Sequence, residues 1–304
     1  MSEVQKIGLD IGRGYVKAYS EFNGIEKEAM FKAIIGDGRE LDFKDFENPM
    51  YIRFEKEDNF IGLLAEKESQ IVIRNSKDSK VSEVARILFA AALSEIAVAD
   101  EVDIVIGVPY KSFKKSVLKE VIETYKDNII EVKDKIKGGI KKVKINNIAI
   151  LREADAALYW QVKDKKKNDK PVGMVAIGFR TTEISYFEKG LKFNDKKSTT
   201  IEFGNRSIMQ NVKDELEHKN IFKEINEIDT SDEYNTLKNK AYKRATERIE
   251  QTLEDMWVNL DEMDIYIAGG TSKNMEFDSQ FIKVDDPQMI TAKGLYLVAT
   301  RTFK

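Results

Sequence analysis

A stretch near the start of the chain recurs, without gaps, in its second half. Residues 8–24 read GLDIGRGYVKAYSEFNG, and residues 174–190, which lie 166 positions later, read MVAIGFRTTEISYFEKG. The two copies share an Ile-Gly pair, a final glycine and the same alternation of apolar residues. Each copy predicts a strand, a polar turn and a second strand. Because each copy opens one half of a 304-residue chain, the repeat indicates two duplicated domains.

The first copy has the composition of a phosphate-binding turn. A turn that contains two glycines leaves backbone N–H groups open to phosphate oxygens. Asp10 is a candidate to hold a hydrated Mg²⁺ through water, and Lys17 to reach the phosphates as a point charge. The alternative is a plain hairpin whose glycines only serve the turn. The candidate nucleotide-binding residues of this copy are Asp10, Gly12, Arg13, Gly14, Tyr15 and Lys17.

The second copy offers a matching set of donors. Its turn contains Gly178, followed by Arg180 as a cation and by Thr181 and Thr182 as hydroxyl donors. Two such turns, one from each domain, can hold a phosphate chain from both sides. The alternative for the two threonines is their ordinary preference for β-strands.

A third candidate element is the strand 263–268, which runs into Gly269, Gly270, Thr271 and Lys273. A strand that ends in two glycines lets a ligand ring lie close to bare backbone. The same two glycines are equally consistent with a turn that has no ligand.

Composition excludes several other classes of site. The chain has no cysteine, which rules out disulfides, thiolate nucleophiles and cysteine-ligated zinc and fits a reducing cytoplasm. Its single histidine, His218, falls in a polar helical run, so a Ser-His-Asp triad is not expected. A net charge of −3 gives no general attraction to nucleic acid. The start, MSEVQKIG, has no signal-peptide core and no apolar run reaches membrane length, so we expect a cytoplasmic protein without a membrane partner.

Hydrophobic periodicity predicts α/β architecture. Residues 102–109 form a continuous apolar run, typical of a strand that is buried on both faces. Residues 111–125 predict an amphipathic helix, and residues 142–145 and 148–151 predict two further strands. The charged connector at 163–170 predicts the main domain boundary.

The order of these motifs resembles the actin and sugar-kinase ATPase superfamily, most closely the bacterial actin-like plasmid-segregation proteins of the ParM type. The resemblance covers nearly the whole chain. The matching stretches are a first phosphate motif at 10–17, a GLP-like strand end at 106–110, a first interdomain helix at 151–157, a second phosphate motif at 177–183, an adenosine motif at 267–271 and a second interdomain helix at 291–296.

The resemblance implies an actin-like ATPase fold in which two duplicated α/β domains enclose a nucleotide cleft. Domain I is expected at 1–165 with a smaller subdomain at roughly 32–75. Domain II is expected at 171–287 with a helical subdomain at roughly 204–259, and the helix in 288–304 returns to domain I.

The resemblance also implies a function. ATP or GTP with Mg²⁺ would bind the phosphate and adenosine motifs, and Glu153 would position the attacking water. The chain would assemble with itself into filaments. These filaments would move plasmids through an adaptor protein bound to centromere-like DNA, so the chain itself need not touch DNA.

One position departs from the family pattern. The second phosphate motif of the family usually has an aspartate before its Ile-Gly, and this chain has Ala176 there. The repeat agrees, because Ala176 is the counterpart of Asp10. Loss of a carboxylate that arranges the metal-bound water is expected to cost ~10²-fold or more in rate, which leaves open whether hydrolysis occurs. Two rival functions remain at this stage: a small-molecule kinase of the same superfold, and a non-polymerising actin-like scaffold.

Overall fold

The computed structural model describes residues 3–42, 46–77, 79–165 and 169–303. The chain forms two compact units. The first unit contains Met1–Trp160 and Thr291–Lys304, and the second contains Gln161–Ile290. Part of the predicted charged connector, residues 166–168, lies outside the described residues. Within the described ranges, no helix is both long enough and apolar enough to cross a membrane.

The first unit is built on a ten-stranded sheet. Its strand order is β3-β2-β1-β8-β10-β9-β5-β6-β4-β7, with β1, β8 and β10 parallel at the centre. The strands are β1 (Gln5–Ile11), β2 (Tyr15–Phe22), β3 (Ile25–Lys32), β4 (Ile34–Asp37), β5 (Met50–Phe54), β6 (Glu57–Ile61), β7 (Val72–Arg74), β8 (Glu101–Val108), β9 (Ile129–Asp134) and β10 (Ile140–Arg152). Strand β8 is buried along nearly its whole length, as its apolar run predicts.

Four helices of the first unit follow in chain order: α1 (Leu63–Glu68), α2 (Glu83–Ile96), α3 (Lys115–Tyr125) and α4 (Glu153–Gln161). Helix α2 begins at the Ser82 cap, whose hydroxyl accepts from the backbone N–H of Ala85. Its Ala90-Ala91-Ala92 run is fully buried, because small side chains let the helix pack closely on the sheet.

Two local predictions need correction. The helix expected at 111–125 starts only at Lys115, because a 3₁₀ turn at Tyr110–Ser112 comes first and Lys114 is extended. The two strands expected at 142–145 and 148–151 are one strand, β10, with a register shift between Ile145 and Asn147. This bulge changes which face each side chain meets, so the apolar alternation in the sequence is interrupted.

The second unit is built on a smaller sheet with the order β13-β12-β11-β15-β16, and β14 pairs with β12. Its strands are β11 (Val172–Ile177), β12 (Thr182–Glu188), β13 (Lys192–Phe193), β14 (Thr199–Ile201), β15 (Asp264–Ala268) and β16 (Phe281–Lys283). Its helices are α5 (Asn205–Glu217), α6 (Ile225–Thr230) and α7 (Asn235–Met256). The helices and one face of the sheet share a core that includes Val175, Ile177 and Trp257.

The last helix, α8 (Ile290–Thr302), packs within the first unit from Thr291 onward. A Cβ at Gly8 of β1 would lie 2.1 Å from the carbonyl oxygen of Ala292, and one at Gly294 would lie 1.8 Å from that of Ala156 in α4. Both contacts are possible only without a side chain. Glycine at these two positions therefore allows α8 to approach β1 and α4 at backbone distance.

Candidate functional site

The two copies of the sequence repeat form hairpins with the same cross-strand register. In the first hairpin Asp10 of β1 stands opposite Lys17 of β2. In the second hairpin Ala176 of β11 stands opposite Glu183 of β12. The offset of 166 residues therefore holds for both members of the pair. The turns match as well, since the N–H of each turn glycine donates to a carbonyl three residues later, at 3.1 Å in the first hairpin and 2.8 Å in the second.

The first turn presents bare backbone beside a carboxylate. A Cβ at Gly12 would lie 2.7 Å from the carbonyl oxygen of Tyr15 and 3.7 Å from Oδ1 of Asp10. The carbonyl of Gly14 accepts from Ala33 N–H at 2.9 Å, which fixes the far end of the turn. Arg13 is half-buried, whereas the side chain of Tyr15 is exposed. The turn is therefore closed by its own backbone hydrogen bonds, and glycine at position 12 is required because a Cβ would meet the Tyr15 carbonyl.

Asp10 and Lys17 form a largely buried ion pair. Nζ of Lys17 donates to Oδ2 of Asp10 at 2.8 Å. Burial alone would lower the pKa of Lys17, but the charge and hydrogen bond of Asp10, with the charge of Glu153, outweigh it and raise that pKa above its ordinary value. Lys17 is therefore a cation at physiological pH.

Oδ1 of Asp10, the carboxylate oxygen that Lys17 does not contact, is the best indication that this site binds a ligand. Among the residues that the structure describes, no donor reaches the buried Oδ1 of Asp10. Buried polar atoms rarely lack a partner, so a water or a ligand atom is expected there. No three acidic or histidine side chains in the described ranges are grouped closely enough to hold a metal by themselves. This arrangement fits Mg²⁺, which keeps several waters and takes phosphate oxygens in place of a full protein cage.

Glu153, which the family resemblance implies as the water-positioning residue, lies on the same side of Gly107 as Asp10. It is the first residue of α4 and directly follows β10. A Cβ at Gly107 of β8 would lie 3.1 Å from Cγ of Glu153 and 3.8 Å from Oδ1 of Asp10. Glycine at position 107 thus avoids a close contact with the side chain of Glu153.

Two residues of this site were not predicted from the sequence. Lys80 is buried; its Nζ donates to the carbonyl of Ile11 at 2.8 Å and lies 3.6 Å from Oε1 of Glu153. Nδ2 of Asn75 donates to the carbonyl of Gly12 at 3.0 Å. Both residues come from the irregular stretch NSKDSKVS, in which no periodicity or spacing distinguishes Lys80 from the exposed Lys77.

The second unit brings together the second turn and the predicted adenosine motif. Oγ1 of Thr271 donates to the carbonyl of Gly178 at 2.8 Å, which joins the two segments. Gly269 has a φ of +89°, and a Cβ there would lie 2.2 Å from the carbonyl oxygen of Ile177. Only glycine meets both conditions. The neighbouring Gly270 faces the side chain of Gln288.

The other candidate residues of the second unit differ in their burial and in their hydrogen bonds. Thr182 is fully buried, and its hydroxyl donates to the carbonyl of Phe203 at 2.8 Å. Arg180 and Thr181 are half-buried. Lys273 is exposed, with its Nζ 2.7 Å from Oε1 of Gln288. The hydroxyl of Thr182 is therefore used within the protein, where it links β12 to the backbone of Phe203. The side chains of Arg180, Thr181 and Lys273 are at least partly exposed to solvent.

Glu183 gives the second hairpin a carboxylate at the position opposite Ala176, which the sequence pattern does not mark as a site residue. It is buried, and its Oε2 accepts from Oγ1 of Thr200 at 2.7 Å. Side chains directly opposite each other in an antiparallel pair share one face of the sheet. Glu183 therefore projects on the same face as Ala176, the position that lacks the family aspartate.

Comparisons with known proteins bear on the fold of the chain. Residues 8–154 match the sequence profile of the family described as "Actin like proteins N terminal domain". No curated protein matches the chain by sequence. A ParM from a 15-stranded Clostridium botulinum filament is similar in structure, with a TM-score of 0.83, 20% identity and coverage of 98% of this chain and 99% of that one.

Two further solved structures are similar over their whole length. The archaeal actin homologue Ta0583 in complex with ADP has a TM-score of 0.79 and 15% identity, and the match covers 98% of this chain and 100% of that one. The subunit of the Alp12 filament structure has a TM-score of 0.70, 19% identity and full coverage of both chains. The chain therefore has an actin-like fold, as the motif order predicts.

Proposed function

We propose that this chain, whose residues 8–154 match the actin-like N-terminal domain family, is a nucleotide-dependent, filament-forming protein that segregates plasmid DNA. The observation that carries the proposal is the buried Oδ1 of Asp10, which no described donor reaches, beside the bare backbone of Gly12. The actin-like fold also supports the proposal, because solved filament structures share this fold. A plasmid-associated role implies a cytoplasmic location, which the absence of cysteine fits.

Binding of ATP or GTP with Mg²⁺ follows from the chemistry of the two half-sites. In the first unit Lys17 supplies a positive charge, the turn at 12–14 carries no side chain at its two glycines, and Oδ1 of Asp10 would accept from a metal-bound water. In the second unit Gly178, Arg180 and Thr181 are the phosphate contacts of the proposal. The glycines at 269 and 270, with Thr271 and Lys273, are its adenosine contacts.

Hydrolysis depends on the groups that orient water. Bound Mg²⁺ would neutralise the developing charge on the phosphates. We propose that Glu153 orients the attacking water. The ion pair with Lys80 helps to fix the position of the Glu153 carboxylate. Ala176 contributes no charge, so we expect hydrolysis to be slow while binding persists.

Filament formation is the part of the proposal that the related structures support. Head-to-tail contacts between identical subunits give open filaments when the rotation between them does not close. The ParM and Alp12 structures are filaments with this fold. The DNA connection would be indirect, through an adaptor protein bound to a centromere-like site, because the chain has near-balanced charge.

The filament proposal is tested by sedimentation and negative-stain electron microscopy with ATP, GTP and ADP. We expect polymer with a nucleoside triphosphate and Mg²⁺, and little with EDTA. The variant Asp10→Asn, which keeps the shape of the side chain but removes its charge, should bind nucleotide without Mg²⁺ dependence. A chain that stays monomeric with every nucleotide at several salt concentrations would contradict the proposal.

The role of position 176 needs two variants rather than one. Ala176→Asp alone would place two carboxylates opposite each other, and like charges at such a pair are destabilising. Ala176→Asp combined with Glu183→Gln removes that repulsion and keeps an acceptor for Thr200. We expect the double variant to hydrolyse ATP about 10²-fold faster than the natural chain. Equal rates in all three proteins would show that Ala176 does not limit hydrolysis.

A further inference from the structure

A cleft opens in the first unit where β5 ends beside β9. Strand β9 extends past the end of β5, because Phe54, the last residue of β5, pairs with Val132. The cleft has a volume of about 520 Å³, and Phe54, Ile129 and Ile140 are among the residues that line it. The two isoleucines are 63% and 57% exposed. Large apolar side chains at a surface cleft are typical of a binding site.

Positive charge surrounds these apolar side chains. Arg53 of β5 stands directly opposite Lys133 of β9, and both line the cleft. Like charges at directly opposite positions of an antiparallel pair destabilise a sheet. Arg53 pairs with Asp58 at 2.6 Å, whereas Lys133 and Lys56, a further lining residue, have no acidic partner among the residues that the structure describes. An acidic partner at this rim would therefore neutralise charge that the first unit leaves uncompensated.

The acidic side chains of the lining do not cancel this charge. Glu55 pairs with Arg86, which also lines the cleft, and Glu131 pairs with Lys142 at 2.8 Å. The hairpin at 129–145 adds to the excess, because it contains six lysines and only two acids. In a chain whose net charge is −3, this hairpin is a local concentration of positive charge.

The second unit presents an aromatic side chain on an ordered loop. Phe222 lies between α5 and α6 and is 73% exposed. The backbone just before it is fixed, since the N–H of Ile221 donates to the carbonyl of Leu216 at 3.0 Å. Just after it, Glu224 and Glu227 form the capping box of α6. Aromatic residues are enriched in protein interfaces, so a phenylalanine held outward in this way is a candidate anchor.

Acidic side chains follow Phe222 directly. Residues 224–233 contain no lysine or arginine but five exposed acids: Glu224, Glu227, Asp229, Asp232 and Glu233. The first two lie 3.3 Å from Lys213 and 3.7 Å from Lys223, respectively. The other three have no basic partner within the described ranges. One unit therefore carries an apolar cleft with a basic rim, and the other carries an exposed aromatic side chain beside acids.

We propose that the cleft binds the Phe222 loop of a second copy of this chain, with Phe222 among the apolar side chains and the acids of 224–233 at the basic rim. A cleft of about 520 Å³ has room for an aromatic ring. Because the cleft and the loop are different surfaces, each copy uses both, and the contact is heterologous and does not close on a pair. The inference rests on the proposed function, for which it supplies one contact between subunits.

The absence of cysteine allows a direct test by cross-linking. The cleft variant is Ile140→Cys, and the loop variant is Ile221→Cys, which retains Phe222 and carries a mass tag. Mild oxidation of their mixture gives a heterodimer that a gel distinguishes from both homodimers. The comparison protein replaces Ile221→Cys with Val258→Cys, at an 81% exposed position of the same unit. We expect the loop variant to form the heterodimer roughly tenfold faster, because docking raises the effective concentration of the thiols.

Two further sets of changes test the basis of the contact. Phe222→Ser in the loop variant should remove the rate advantage and leave thermal unfolding nearly unchanged, because the side chain is exposed. Lys133→Glu in the cleft variant should also slow the reaction, as should Asp229→Lys combined with Asp232→Lys in the loop variant. The two charge-reversed chains together should recover most of the rate, which misfolded chains would not do.

The reaction is followed with and without nucleotide and Mg²⁺. The proposal is overturned by equal rates for the loop variant and its comparison protein in both conditions, by an undiminished rate with Phe222→Ser, or by no recovery in the charge-reversed pair. Homodimers of the cleft variant alone would assign the cleft to a twofold contact instead. A specific heterodimer without filaments would contradict the proposed function and support this contact, whereas filaments without the heterodimer would do the reverse.

Discussion

Lys17 stands directly opposite Asp10 and donates to Oδ2, the oxygen on the opposite side of the carboxylate from the one that no described donor reaches. The lysine thus neutralises the aspartate without using all of its hydrogen-bonding capacity. A single cross-strand pair can in this way stabilise the hairpin and still hold a metal-bound water.

The pair should behave as a coupled unit in stability measurements. Lys17→Met leaves the buried charge of Asp10 without its partner, and we expect a loss of about 3 kcal/mol. The double variant Asp10→Asn/Lys17→Met should recover much of this loss, since no uncompensated charge remains. Urea unfolding of the two single variants and the double variant measures the coupling. Additive effects of the single changes would contradict a direct interaction.

We predict that the buried Lys80 stabilises the site through its contacts with the carbonyl of Ile11 and the carboxylate of Glu153. Lys80→Met removes the donor to the carbonyl of Ile11, and an unsatisfied buried acceptor costs about 1–3 kcal/mol. Lys77→Met, at an exposed position in the same stretch, should change the free energy of unfolding by less than about 0.5 kcal/mol. If nucleotide hydrolysis is detectable, the Lys80 variant should also slow it, because Glu153 loses a neighbouring cation. Equal stability of the two variants would argue against a buried role for Lys80.

Glu66 gives a pH-dependent contribution to stability. Burial alone would raise its pKa, but hydrogen bonds from Lys32 and Arg74, with their charges, outweigh it and hold the pKa below the ordinary value of 4.5. A carboxyl whose pKa is lower in the folded state stabilises the fold above its unfolded pKa and loses this effect as pH falls. Glu66→Gln should therefore be less stable than the natural chain near neutral pH.

The difference caused by Glu66→Gln should shrink as the pH falls below 4.5 and through the folded-state pKa. Urea unfolding at several pH values from neutral to acidic follows this change. Glu120→Gln, at an exposed position, is the control and should show no such pH dependence. A stability gap for Glu66→Gln that stays constant over the whole range would contradict the ion-pair explanation.

The contact between α8 and α4 should not tolerate a methyl group. Gly294→Ala places a Cβ 1.8 Å from the carbonyl of Ala156, so one helix must shift. Overpacking of this kind typically costs about 1–3 kcal/mol. Thr300→Ala, on the exposed side of the same helix, should be nearly neutral. Thermal unfolding distinguishes the two, and a stable Gly294→Ala protein would mean that α8 can move away from α4.

Sequence reasoning predicted the parts of the molecule that local pattern determines. The apolar alternation and the Gly-x-Gly turn located β1 and β2, and the gap-free repeat predicted that Ala176 occupies the place of Asp10. The same offset makes Glu183 the counterpart of Lys17. The sequence alone does not show that Glu183 shares a face of the sheet with Ala176, because that depends on the cross-strand register.

The remaining features depend on contacts between distant segments or on details of hydrogen bonding. Lys80 and Asn75 reach the first turn across more than sixty residues of sequence, and no local signal marks them. The late start of α3 depends on a 3₁₀ turn after Pro109. The exposure of Phe222 could not be predicted either, because a phenylalanine side chain is more often buried than exposed.

The two hairpins have the same cross-strand register and the same turn hydrogen bond. The equivalent cross-strand pair is Asp10–Lys17 in the first hairpin and Ala176–Glu183 in the second. In a symmetric pair of identical half-length chains, every substitution would appear twice. Once two copies are joined in one chain, Ala176 can replace an acid in one copy while Asp10 is retained in the other. Covalent fusion thus allows the two hairpins to carry different residues at the same position, Asp10 in one and Ala176 in the other, which no homodimer of identical halves can do.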